Sequence, residues 1–133
     1  MGSQDKKRSK KLGFKRFQNS FKYSIAGLKY AYTNEQSMLI HIGITVLVVI
    51  FGIFLKLSVT EWLLCLTMIG FVMAAELLNT AIEATVDMAM PDIHPLAKVA
   101  KDTASAAVFV LSFVSAIIGV VIFIPKILSI FGL

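Results

Sequence analysis

The chain has 133 residues, 57% of them hydrophobic, and a mean hydropathy of +0.81, which excludes an ordinary soluble domain. Thirteen Lys and Arg against eight Asp and Glu leave a formal net charge of +5. The single cysteine, Cys65, excludes an intrachain disulfide, and its leucine neighbours predict a buried structural thiol.

Residues 1–13 are basic and are expected to form a disordered tail ahead of one membrane domain, 14–133. No apolar stretch with a cleavage site follows the basic run, so no secretory signal peptide is expected. Phe14, Phe17, Phe21, Ile25, Leu28 and Tyr32 then step by three or four, while Lys15, Lys22 and Lys29 repeat every seven. This pattern predicts an amphipathic surface helix over about 14–33, lying among lipid headgroups and drawn to anionic lipid.

Thr33, Asn34 and Glu35 turn the chain toward three apolar stretches, predicted as spans over about 38–56, 60–82 and 103–124. Glu35 opens the first, where an acid suits a helix N-terminus. His41, about one turn inside, reads as a packing or interfacial histidine rather than a ligand. Lys56–Glu61 is a short connection, with Thr60 the expected N-cap of the second helix. That helix is expected to run on to about Met90, since neither Gly nor Pro interrupts its polar end. Pro91 and Pro95 bracket Asp92, Ile93 and His94 in a sharp turn, and the third helix begins near Pro95. Along it, Lys98, Lys101, Asp102 and Ser105 share a face, and Ala100, Ala104 and Ala107 permit close helix approach.

Nine of the 13 Lys and Arg precede the first span, and Lys98 and Lys101 follow the second. Positive residues favour the cytoplasmic side, so a plasma-membrane protein is expected with its N-terminus and the 88–101 region inside and its C-terminus outside. The fold class is therefore all-α: a surface helix plus three transmembrane helices.

The polar residues are concentrated. Glu76, Asn79, Glu83 and Asp87 are spaced three, four and four, which puts them on one helix face. Carboxylates at the edge of a membrane helix are costly unless water, metal or an opposite charge meets them. Glu35, Asp92, His94, Lys98, Lys101 and Asp102 are expected at the same depth. The acids are hard oxygen ligands that suit Mg²⁺, and the lysines can meet phosphates. Metal, acid and lysine beside a lipid surface point to phosphoryl transfer on a lipid headgroup. The G-x-x-x-x-G-K-[ST] loop and the Gly-rich kinase loop are absent, as are zinc-ligand spacing and a nucleophile elbow. A small membrane pore or scaffold is the non-enzymatic alternative, although neither needs an acid–lysine cluster at one depth.

The runs Glu76-Leu-Leu-Asn-Thr-Ala-Ile-Glu-Ala-Thr-Val-Asp87 and His94-Pro-Leu-Ala-Lys-Val-Ala-Lys-Asp-Thr-Ala-Ser-Ala-Ala-Val108 carry a resemblance. With Arg16, Tyr23, Ser24, Gly27, Leu28, Lys29, Asn34 and Glu35, they resemble the bacterial integral-membrane diacylglycerol kinase and undecaprenol kinase family over about residues 14–125. The resemblance implies a homotrimeric helical bundle of ATP-dependent lipid kinase subunits, with active sites shared between neighbours. It implies Glu76 as the general base and Glu35 and Glu83 as holders of Mg²⁺ with the ATP phosphates. Lys101 and Asp102 would contact the nucleotide, joined by Arg16, Tyr23, Asp92, Ile93 and His94. Asn79, Asp87, Lys29 and Asn34 would support the site, and Ser105 would lie near the lipid headgroup. The basic N-terminus and the His94-Pro95-Leu96 turn resemble Gram-positive members, which implies undecaprenol as acceptor, with diacylglycerol the alternative. No nucleic-acid partner is expected.

Overall fold

In hydrocarbon, a spanning segment must satisfy its own backbone hydrogen bonds. The computed structural model describes residues 3–90 and 94–132 and builds them from four helices: α1 Ser3–Asn34, α2 Gln36–Phe54, α3 Val59–Ala89 and α4 Pro95–Ile130. The last three are long and apolar enough to cross a membrane. Helix α1 forms one compact unit, and the chain from Glu35 onward forms a second.

Helix α1 starts at Ser3, so the backbone of residues 3–13 is helical where the sequence predicts a disordered tail. Lys, Arg, Gln and Leu are strong helix formers, and no Gly or Pro interrupts Ser3–Leu12. Phe14, Phe17, Phe21 and Ile25 are exposed along one stripe, and the Phe17 and Phe21 rings lie 5.8 Å apart. An uncovered apolar stripe of this kind suits a lipid surface. At the end of α1, Thr33 Oγ1 donates to the Lys29 carbonyl and Asn34 Nδ2 to the Tyr30 carbonyl, each at 2.8 Å. Both side chains fold back on the last turn of the helix, as second donors to carbonyls inside it.

The connection between α2 and α3 is built from two caps. The Leu57 N–H reaches the Gly52 carbonyl at 3.0 Å and the Lys56 N–H reaches the Ile53 carbonyl at 3.2 Å, a Schellman closure of α2. Lys56 takes the left-handed conformation this closure needs, with φ 53°. Ser58 then caps α3: its hydroxyl accepts from the Glu61 N–H, and the Glu61 carboxylate accepts from the Ser58 N–H. The N-cap is thus Ser58 and not Thr60, because only Ser58 has its partner glutamate three residues on.

Leu57 folds back into a cluster with Cys65 and Ile122, against which Val48, Trp62 and Ile118 pack. Cys65 is buried, as expected. Gly52 is buried because Trp62 lies over it: a Cβ there would meet the indole at 2.7 and 2.9 Å. Gly52→Ala is therefore expected to cost about 1–3 kcal/mol by overpacking, read as a lower thermal midpoint in detergent. An unchanged midpoint would mean that the indole moves aside freely.

Helix α3 packs against both α2 and α4. At the Ser58 end, Lys126 Nζ lies 3.0 Å from Glu61 Oε2 and ties α4 to α3. Helix α4 continues through Pro125 to Ile130, past the span end predicted near 124. A proline removes one N–H from the ladder but is tolerated in membrane helices where the freed carbonyl is re-satisfied. At 31 residues α3 is about 46 Å long against a hydrocarbon core of about 30 Å, so part of it extends beyond the core.

Candidate active site

The polar stripe of α3 begins inside the bundle and ends outside it. Cys65, Val72, Glu76 and Thr80 are the buried residues of this helix, Asn79 and Glu83 are half-buried, and Asp87 is exposed. Glu76 is only 5% exposed. Its Oε1 lies 3.0 Å from Nε2 of His41 on α2, whose side chain is 17% exposed. One turn on, Asn79 Nδ2 donates to Glu83 Oε1 at 3.1 Å. A further turn on, Lys101 Nζ of α4 donates to Asp87 Oδ1 at 2.9 Å and to Oδ2 at 3.1 Å. Lys98 pairs with Asp102 along α4, one turn apart.

Because α2 and α3 are antiparallel, the His41–Glu76 contact fixes their relative depth. Glu35 lies six residues before His41, about 9 Å along α2, and Glu83 seven after Glu76, about 10.5 Å along α3, in the same direction. Both carboxylates therefore sit at one level, toward the polar end from Glu76. Glu35 is the N-cap residue of α2, but its side chain makes no cap hydrogen bond and has no ion-pair partner among the described residues.

The expected Mg²⁺ has a donor set of the right kind here. Among the described residues no three His, Cys, Asp or Glu side chains cluster to hold a metal. Mg²⁺, however, is usually held by one or two carboxylates together with substrate phosphates. Asn79 Oδ1 is buried without a partner among the described residues, an oxygen acceptor left open on the side chain that holds Glu83. Among the same residues Thr80 Oγ1 is buried and unpartnered as well.

Beyond His41, toward the middle of the bundle, lies a cavity of about 130 Å³ between α2, α3 and α4. His41, Thr45, Ser112 and Ser115 supply its polar lining, and Val72 and Met73 part of its apolar wall.

The other expected site residues are distributed as follows. His94 is exposed and caps α4, its Nδ1 accepting from the Leu96 N–H at 3.2 Å. Ser105 is exposed on α4. Asp92 and Ile93 lie outside the described residues. Arg16, Tyr23, Lys29 and Asn34 are exposed on α1, within the separate unit that α1 forms. The structure thus groups Glu76, Asn79 and Glu83 along α3 and joins Asp87 to Lys101. His41, expected to be a packing or interfacial residue, is hydrogen-bonded to Glu76, a contact the sequence reading did not foresee. The signal for it was its place about one turn into an antiparallel neighbour, which has meaning only once the helix register is known.

The family model for prokaryotic diacylglycerol kinase matches residues 22–123. Undecaprenol kinase of Bacillus subtilis is 42% identical over 111 residues, covering 84% of this chain and 90% of that protein. Diacylglycerol kinase of Synechocystis is 38% identical over 112 residues, covering 83% of this chain and 63% of that protein. Diacylglycerol kinase of Haemophilus influenzae is 37% identical over 101 residues, covering 76% and 86%. Three apolar helices and these relatives define an integral membrane lipid kinase. The chain belongs to the prokaryotic diacylglycerol kinase family. It is an enzyme, which sets aside the pore and scaffold reading.

Proposed function

We propose that this kinase transfers the γ-phosphoryl group of ATP to the primary hydroxyl of undecaprenol at the cytoplasmic face of a bacterial plasma membrane, with its N-terminus inside and its C-terminus outside. The observation that carries the chemistry is Glu76, a buried carboxylate on the stripe that leads to Asn79 and Glu83. A base must stand where the acceptor hydroxyl arrives, and Glu76 is the acid of this stripe set deepest toward the hydrocarbon. As the lipid oxygen bonds to the γ-phosphorus, the bond to the ADP oxygen breaks and the hydroxyl proton passes to the Glu76 carboxylate.

Glu35 and Glu83, at one level, would hold Mg²⁺, with Asn79 supporting Glu83. Bound there with the ATP phosphates, Mg²⁺ supplies neutralisation of their charge. Lys101 and Asp102 would meet the nucleotide, with Arg16, Tyr23, Asp92, Ile93 and His94 as further contacts, and Ser105 would lie near the lipid headgroup. Asp87 holds the Lys101 ammonium in place for this role, and Lys29 and Asn34 would be supporting residues. The active form is a homotrimer with shared sites. Oxygens on Asn79 and Thr80 that are buried and unpartnered among the described residues support a site that one chain leaves incomplete.

Undecaprenol is favoured by the 42% identity to the Bacillus subtilis undecaprenol kinase across most of both chains. Diacylglycerol is the second reading, favoured by the similarity to diacylglycerol kinases at 37–38% identity. Labelling from Mg²⁺-ATP in mixed micelles, with each lipid in parallel, separates them. Faster labelling of undecaprenol is expected, and faster labelling of diacylglycerol would reverse the assignment.

A further inference from the structure

We propose that His41 is a positioning residue for the reaction: it ties down one oxygen of Glu76 and leaves the other free to receive the acceptor's proton. This rests on the reading of Glu76 as the base. The contact joins two residues that are 35 positions apart in sequence, on different helices, each largely removed from solvent. The other donors along the stripe meet other carboxylates. The Asn79 amide donates to Glu83, and the Lys101 ammonium donates to Asp87. Among the described residues the His41 ring is the sole hydrogen-bond partner of the Glu76 carboxylate, and it meets Oε1 alone.

A carboxylate on a flexible side chain in an apolar bundle has several rotamers, and only some aim an oxygen at the acceptor hydroxyl. With the His41 Nε2–H donating to Oε1, the carboxylate plane is held and Oε2 is the atom that takes the proton. The ring itself is held by α2 and stands at the edge of the cavity whose other polar groups, on Thr45, Ser112 and Ser115, are neutral hydroxyls. Misplacing a reacting group by about 1 Å can cost 10²-fold in rate, so a single orienting bond at the base has a measurable effect.

The test compares His41→Leu, His41→Gln and Glu76→Gln as purified full chains in mixed micelles, with whichever of the two lipids the unaltered enzyme phosphorylates faster. The Gln amide places an N–H near the position of Nε2, whereas Leu has no donor. His41→Leu is expected to lower kcat about 10- to 100-fold with KM for ATP within about twofold, and His41→Gln to recover most of that loss. If His41→Leu does not fold, His41→Asn serves in its place, because its amide is too short to reach Oε1. The proposal is overturned if the donor-free variant keeps kcat within about twofold of the unaltered enzyme while Glu76→Gln is inactive. It is also overturned if His41→Gln loses as much as His41→Leu, since that pattern belongs to ring packing. Full activity in Glu76→Gln would remove the base assignment, and this inference with it.

Discussion

Replacing Glu76 with Gln is expected to lower kcat by about 10²–10⁴-fold, the usual share of a general base, without unfolding the protein. The amide keeps the shape of the carboxylate, and its oxygen can still accept from His41, so the contact between α2 and α3 survives. What it loses is the basicity needed to take the lipid hydroxyl's proton. Steady-state phosphorylation, measured beside the thermal midpoint in the same detergent, separates loss of chemistry from loss of fold. An enzyme that turns over normally after this change would move the base elsewhere on the stripe.

Glu83→Gln acts on a different step. Glu83 is half-buried at the level of Glu35, and Asn79 holds its Oε1. Removing this charge is expected to raise the Mg²⁺ concentration for half-maximal activity at least 10- to 100-fold, roughly the loss that follows even when a metal ligand's supporting partner is removed. Excess Mg²⁺ should restore part of the rate, which it would not do for Glu76→Gln. Activity titrated against Mg²⁺ at fixed ATP reads the difference. An unchanged Mg²⁺ requirement would exclude Glu83 as a ligand and leave it as a partner of Asn79 alone.

The two substitutions lie two turns apart on one helix, yet only one of them is expected to be rescued by added metal. The contrast follows from depth. Glu76 lies in the bundle, where a lipid hydroxyl can reach it, and Glu83 lies nearer the polar end, where a metal–nucleotide arrives. Their spacing was legible in the sequence because the helical repeat is local: positions 76, 79, 83 and 87 share a face in any α-helix. The spans were legible for a similar reason, since hydrocarbon thickness and backbone satisfaction act on each segment separately. The start of α4 at Pro95 was legible too, because the fixed φ and missing N–H of proline suit the first turn of a helix.

The residues that sequence reasoning misplaced depend on competition or on register. Thr60 and Ser58 are both chemically able to cap α3, and the choice fell to Ser58 through its reciprocal bond with Glu61. The basic segment before Phe14 reads as disordered by charge alone, yet its residues are good helix formers and the backbone is helical from Ser3. His41 and Glu76 are joined only because the Lys56 turn and the Ser58 cap set α2 and α3 antiparallel at one register. A shift of one residue along either helix would rotate the side chain by about 100° and part them. The sequence by itself therefore determined that the chain crosses a membrane three times and carries a striped acidic helix. Only the tertiary structure decided which donor faces the buried Glu76, because that contact is set by the packing of helices distant in sequence.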